Sequence, residues 1–504
     1  MKPVLQSNSR TANEPADAVF PAPMVVRRET SPEGRPETAI RKIDPRAIAL
    51  RGIRSLESDH LSLRTDLPSS PEVDAFPAIF DQAASQFVEW FGVDPQRVVT
   101  WKPVGCIMRD RATFEASGLC PRSVPKLSGY SIYDAFWCER QESVWYQRHL
   151  MIHEGVHCFM VAQFGGCGAP WYMEGCAELL GTHRLDADGR LTIGVIPAFD
   201  PRPTILTTET LAAVGARPIS GVVDKPGIPR AGGVAETSVV NSGDANGDAA
   251  DPAPGWGRIR TLQRLVREGK RRSLTDVMRI SSAIFDPHEA YCWCWAAAQL
   301  LVSDPDSCDV FRAMACEVLR SDFTPEMLRR FGDTKLRRLE AEWFAFLTDL
   351  EFGMEYARSR VGFGDTASAR PLPAGSWTKC EVSADRGWTP TGLFVRSGDL
   401  IRIAARGTFS LADEPVDVDG EPVPIESGPD GISIHYYRGE PIGRLMLAIA
   451  TVNDPTGLAA PVAVVHNAEM SSPRDGEIFL RINSSAADLA RHAGSCEVAL
   501  RAKN

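Results

Sequence analysis

HLMIHEGVHCFMVAQFGGCGAPWYMEGCAELLGTH, residues 149–183, is the stretch on which the reading of this chain turns. His153 and His157 stand one helical turn apart, so a helix would carry both imidazoles on one face, where a single metal ion can take them. Glu154, next to the first histidine, is placed to accept a proton from a water that such a metal activates. Random placement of these residue types yields an HExxH pentad roughly 0.01 times in a chain of this length and composition. Gly165 and Gly166 then stop the helix, and the Gly-Gly-Cys-Gly-Ala-Pro turn at 165–170 reverses the chain. Pro170 and Trp171 open a second helix with Glu174 and Glu178 on one of its faces. Folded back on the first helix, it offers Glu174 as third ligand of a zinc ion, which in catalytic sites keeps its fourth position open. Glu178, one turn on, can reach the distal nitrogen of a ligating histidine and set its tautomer.

His153, Glu154, His157, Glu174 and Glu178 together resemble, residue by residue, the pattern of the gluzincin (peptidase-MA-like) metallopeptidases. The resemblance covers residues 149–183, with weaker support to residue 360. No HExxHxxGxxH extension follows, because Cys158 to Gln163 after His157 lack it. The resemblance implies hydrolysis of a peptide or protein substrate with one catalytic Zn2+, Glu154 serving as general base. It also implies a downstream Tyr or His that stabilises the oxyanion. The candidates are Tyr291 and His288, with His183 and Tyr172 further back; Tyr291 reads equally well as an aromatic packed on the core. His149 is expected at the surface or just behind the ligands. The resemblance further implies that substrate adds as a strand to an edge near the metal helix, for which Gly129–Trp137 could serve. Two competing readings remain open: a helix pair with incidental histidines, and a protein that binds metal or docks on a surface without hydrolysing anything.

Working outward, the chain is expected to be α+β, a small sheet packed on helices, followed by an all-β sandwich. Residues 1–45, rich in Pro, Ser, Arg and Glu, read as a disordered tail. The metallopeptidase-like domain spans 46–362. It should hold a strand at His60–Thr65, a helix from Pro71 to Gly92, and strands around Val98–Val104, Gly129–Trp137 and Ser143–Tyr146. The metal helix is expected from His149 to Phe164, with further helices over Arg258–Ile280, Ala290–Ser303 and Leu336–Arg360. Residues 204–255 include VVNSGDANGDAADPAPG, which offers little to a core and reads as a flexible insertion. A linker is expected at 363–374.

Over 375–504 the hydrophobic period changes to two, as in LIRIAA, RLMLAIAT and EIFLRIN, with Gly, Pro and Asp clusters between. Residues 387–410 and 482–500 resemble the β-sandwich of the calcium-dependent galactophilic bacterial lectins. Where that family's pattern puts oxygen ligands on calcium, this chain has Ser484, Asp488, Arg491 and His492. Calcium requires several oxygen donors and Arg491 brings a positive charge, so Ca2+ is not expected here. The sandwich is expected to fold by itself. Any glycan it takes would have to use another surface, such as that near Tyr436 and Tyr437.

The 504 residues carry 55 Lys plus Arg against 65 Asp plus Glu, a formal charge of −10, and 43% hydrophobic residues. That balance, without a Lys/Arg tract, argues against nucleic acid as the main partner. No apolar run approaches the roughly 18 residues of a transmembrane helix. The start has no apolar h-region, which suggests the cytoplasm, or an exported protein if the start codon is misassigned. The 12 cysteines form no CxxC pair and read as small buried hydrophobes in a reduced compartment.

Overall fold

Alternating residues of the first sheet face two different cores, and this decides how the N-terminal half is layered. The computed structural model describes residue 40 and residues 43–198, 256–281, 287–363, 369–411, 425–464 and 468–503. Most of the expected tail at 1–45, all of the expected insertion at 204–255, and part of the expected linker lie outside the described residues.

The sheet contains β1 (Arg54–Glu57), β2 (Ser62–Thr65), β3 (Val104–Met108), β4 (Gly129–Ile132) and β5 (Ala135–Glu139), in the order β1-β2-β3-β5-β4. β2, β3 and β5 run parallel, while β1 and β4 are antiparallel edges. With a side-chain period of two, Ile107, Phe136 and Cys138 enter the larger core, while Val104, Cys106, Met108 and Trp137 enter a smaller one with Phe114 and Leu119. A sheet covered on both faces has no polar stripe to betray it. The strand expected at Val98–Val104 begins only at Val104. Before it the backbone turns on itself, with Val98 N–H donating to Pro95 O and Trp101 N–H to Val98 O. Gly129–Trp137 is a hairpin of β4 and β5 and not one strand.

Helix α1 (Phe76–Phe91) ends at Gly92, whose φ of 62° lets the chain leave the helix through the left-handed region. Helix α2 (Val144–Phe164) carries the HExxH pentad. It starts five residues earlier than expected, because the supposed strand at Ser143–Tyr146 is its N-terminus: the Ser143 side chain accepts from Tyr146 N–H. α1 and α2 meet through Phe87–Phe159 and Phe91–Phe159 ring contacts at 5.6 and 5.5 Å. They approach so closely at Gly155 that a Cβ there would lie 2.4 Å from the Phe80 ring. Helix α3 (Pro170–Gly181) folds back on α2, and α4 (Arg258–Arg267) and α5 (Pro287–Ser303) close the far side. Helix α6 (Phe323–Asp349), bent at Gly332, starts and ends earlier than the expected Leu336–Arg360. No described helix is long and apolar enough to cross a membrane.

The described residues between 370 and 502 form the sandwich. One six-stranded sheet is centred on Glu440–Ala450 and Gly476–Ile482; the other is centred on Leu400–Arg406 and Ala493–Ala502. Leu393, Ile401, Ile403, Leu445, Leu447, Ile478, Leu480, Val498 and Leu500 fill the space between. A second apolar cluster joins Ala341 and Ala345 of α6 to Trp388, Met446, Ala448 and Phe479 of the sandwich. Phe363, inside the expected linker, lies in this shared core. Glu342 holds the exit of the chain by accepting from the N–H groups of Val361, Gly362 and Phe363.

Polar groups complete the junction. Asp349, in the last turn of α6, accepts from Arg438 Nη1 at 2.7 Å and from Arg481 Nη1 at 3.1 Å. A carboxylate at the negative end of a helix is unfavourable by itself, and the two guanidiniums offset that. Arg438 sits at φ 53° in its hairpin turn, a conformation uncommon for a residue with a Cβ. Glu351 accepts from Ser485 Oγ at 2.7 Å, from Ala487 N–H at 3.1 Å and from Tyr437 OH at 3.4 Å. Tyr437, offered above as a glycan contact, is thus engaged at the junction; Tyr436 is 55% exposed.

Breaking the buried Asp349–Arg481 pair leaves a charge without its partner. Asp349→Ala is expected to cost about 3–5 kcal/mol in denaturant unfolding, whereas Arg438→Met, on the half-exposed partner, should cost about 1 kcal/mol. Equal small losses in both would show that the junction does not depend on this pair.

Candidate metal centre

Two histidines on α2 and one glutamate on α3 aim three acceptor atoms at one point. His153 Nε2 lies 3.2 Å from His157 Nε2, and Glu174 Oε2 lies 3.4 Å from the first and 3.6 Å from the second. A tetrahedral ion with bonds of about 2.0–2.1 Å holds its ligands about 3.3–3.4 Å apart. Glu174 Oε2 is buried and has no hydrogen-bond partner. Three such converging atoms repel one another unless a proton or a cation lies between them, and two imidazoles with one carboxylate are a donor set that fits a divalent ion of the zinc type. Burial pushes the Glu174 carboxyl up, but the facing His153 and His157 rings overcome this and hold it at about 2. Burial likewise opposes a charged His157, yet Cys167 and Glu174 raise its pKa well above the ordinary value.

Glu178 is almost fully buried. Its Oε1 is 3.6 Å from His153 Nδ1, just beyond hydrogen-bond range, and its Oε2 is 3.5 Å from His149 Nε2. The carboxylate is held by donors that the sequence did not indicate: Trp256 Nε1 at 3.1 Å, Arg258 Nε at 3.2 Å and Arg258 Nη2 at 2.8 Å. Burial raises the Glu178 pKa, but Arg258 and His149 outweigh it and keep it well below the ordinary range. His149 is fully buried, not at the surface, and burial lowers its pKa. Among the described residues His149, His153 and Glu178 form a second group of possible ligands. There the Arg258 guanidinium already supplies the positive charge, so the first group is the better metal centre.

Glu154 is 5% exposed and lies against the sheet edge. A Cβ built on Gly129 of β4 would fall 2.4 Å from Glu154 Oε1, so the edge backbone reaches this carboxylate only because residue 129 has no side chain. Burial raises the Glu154 pKa, with His153 and His157 opposing.

Tyr291, on α5, places its ring centroid 6.2 Å from that of His153 and 5.4 Å from the Arg258 guanidinium. The charge of Glu174 and burial push its phenol well above the ordinary pKa. His288 lies at the exposed start of α5. The other two oxyanion candidates are turned elsewhere. Tyr172 OH donates to Phe311 O at 3.1 Å. His183 stacks on Trp145, and its ring contacts Gly181 O at 2.9 Å and Arg148 Nε at 3.2 Å. In the sandwich, Ser484 O accepts from Arg481, Arg491 pairs with Asp488, and His492 is buried, which lowers its pKa to about 4.

No family model matches this chain, and no curated protein does. A solved structure described as the N-terminal domain of EclA, a PllA-like lectin, is similar to it at 20% identity. That match covers 25% of this chain and 97% of the other, with a TM-score of 0.18.

The Gly129–Glu154 contact can be tested without reference to activity. Gly129→Ala is expected to destabilise by about 1–3 kcal/mol through overpacking, and Glu154→Ala in the same chain should recover most of that loss. Full additivity of the two changes in denaturant unfolding would show that they do not touch.

Proposed function

We propose that this chain is a zinc-dependent hydrolase of peptide bonds. The observation that supports it most is the convergence of His153 Nε2, His157 Nε2 and Glu174 Oε2 within 3.6 Å of one another, with Glu154 beside them on the same helix. His153, His157 and Glu174 would hold the ion. Zinc supplies Lewis-acid activation of a water molecule and polarisation of a carbonyl. Glu154 acts as general base: it takes the proton from the attacking water and passes it to the leaving amine. Burial favours that role by raising its pKa toward the working range of a base.

Tyr291 is the preferred group for the oxyanion. Its raised pKa keeps the phenol protonated, as a donor must be, and its ring packs toward His153, whereas His288 is exposed. The substrate backbone would pair with β4, an edge strand whose Gly129 lies against the base. Glu178 orients His153 from behind.

The chain should take up one zinc per molecule. Glu154→Gln is expected to keep that zinc and to lose hydrolysis of a peptide library by about 100-fold or more, because an amide cannot accept the proton. Glu174→Ala should weaken zinc retention by about tenfold or more in chelator competition. Equal hydrolysis by wild type and Glu154→Gln would sink the mechanism. Tight zinc binding with no hydrolysis by wild type would favour a metal-binding protein that is not an enzyme.

A further inference from the structure

Glu178 is not placed by its own helix alone. Both of its oxygens are held by two residues some 80 positions later in the chain, and the same oxygens face the histidines. Oε1 accepts from Arg258 Nη2 at 2.8 Å and faces His153 Nδ1 at 3.6 Å. Oε2 accepts from Trp256 Nε1 and Arg258 Nε and faces His149 Nε2 at 3.5 Å. Arg258 is itself fixed, its Nη1 donating to Trp256 O at 3.1 Å. Its guanidinium also lies 5.4 Å from the Tyr291 ring. The rigid fork of an arginine meets both oxygens of a carboxylate at once, which a lysine ammonium cannot do. An ion pair that merely joined α3 to α4 would have no need to end on the carboxylate behind a metal ligand.

We propose that Arg258 is a positioning residue of the metal centre: by clamping Glu178 it sets the direction from which that carboxylate faces His153 Nδ1, and so the aim of His153 Nε2. The inference rests on the metal-centre reading above, but not on hydrolysis. Without Arg258 the carboxylate keeps only the Trp256 Nε1 bond on Oε2, so Oε1 loses its donor, and a ligating histidine whose outer partner is lost typically costs about 10–100-fold in metal affinity.

The test uses the full chain and zinc alone. Zinc dissociation constants are measured by chelator competition for wild type, Arg258→Met, Arg258→Lys, Trp256→Phe, Glu178→Gln and the pair Arg258→Met with Glu178→Gln. Arg258→Met should weaken zinc by about tenfold, Arg258→Lys by less, and Trp256→Phe by a few-fold. The double variant should bind no more weakly than Glu178→Gln, because Arg258 acts through that residue. With cobalt in place of zinc, the visible bands of Arg258→Met should shift from those of wild type, a change that lowered stability alone would not produce. Wild-type affinity in Arg258→Met, or losses that add in full in the double variant, would overturn the proposal. Should Arg258→Met not fold, unchanged zinc affinity in both Arg258→Lys and Trp256→Phe would do so. A wild type that binds zinc and hydrolyses nothing sinks the peptidase reading and leaves this one standing; a wild type that binds no zinc overturns both.

Discussion

His153 Nε2, His157 Nε2 and Glu174 Oε2 are pressed within 3.6 Å of one another in a site nearly closed to water, where only a proton or a cation can lie between them. Such an arrangement survives in a folded chain only if the rest of the structure enforces it or a cation rewards it. Here much of the N-terminal half converges on it. α1 packs closely on α2 at Gly155, β4 comes close enough at Gly129 to reach Glu154, and α4 delivers a guanidinium to Glu178 behind His153.

The charges follow one logic. Six acidic or imidazole side chains lie buried or nearly so on α2 and α3: His149, His153, Glu154, His157, Glu174 and Glu178. Buried carboxylates are tolerated when their charge is met. Arg258 meets that of Glu178; the histidines, and in the proposed function zinc, meet that of Glu174. At Glu154 burial outweighs His153 and His157, and its pKa moves upward where those of the other two glutamates move downward. In the proposed function the three glutamates are thus sorted into ligand, support and base by their neighbours.

The sandwich is joined to this domain by an apolar patch on α6 and a ring of charge at its end. Asp349 with Arg438 and Arg481, and Glu351 with Ser485, Ala487 and Tyr437, take up the sandwich loops at 437–438 and 484–487. A change at Asp349 therefore reaches both halves, while the core between the two sheets is complete without α6.

The grouping of His153, His157 and Glu174 at the candidate site was largely legible in the sequence because its information is local. Four-residue spacing on a helix puts His153 with His157 and Glu174 with Glu178, and a Gly-rich turn ending in Pro170 reverses the chain between them. Period-two alternation likewise exposed the sandwich. The N-terminal sheet was less legible: β3 and β5 are buried on both faces and read as continuous apolar runs, so the Val98–Val104 boundary slipped. Ser143 looked like strand because a capping residue is recognised by the helix that follows it. Arg258, Trp256 and the Gly129 contact could not be read at all. An ion pair across 80 residues and a 2.4 Å clearance depend on how helices and strands pack. By itself the sequence determined which residues can bind metal and on which faces they lie. Only the tertiary structure decided what stands behind them, because distance between chain-remote side chains is set by packing and not by periodicity.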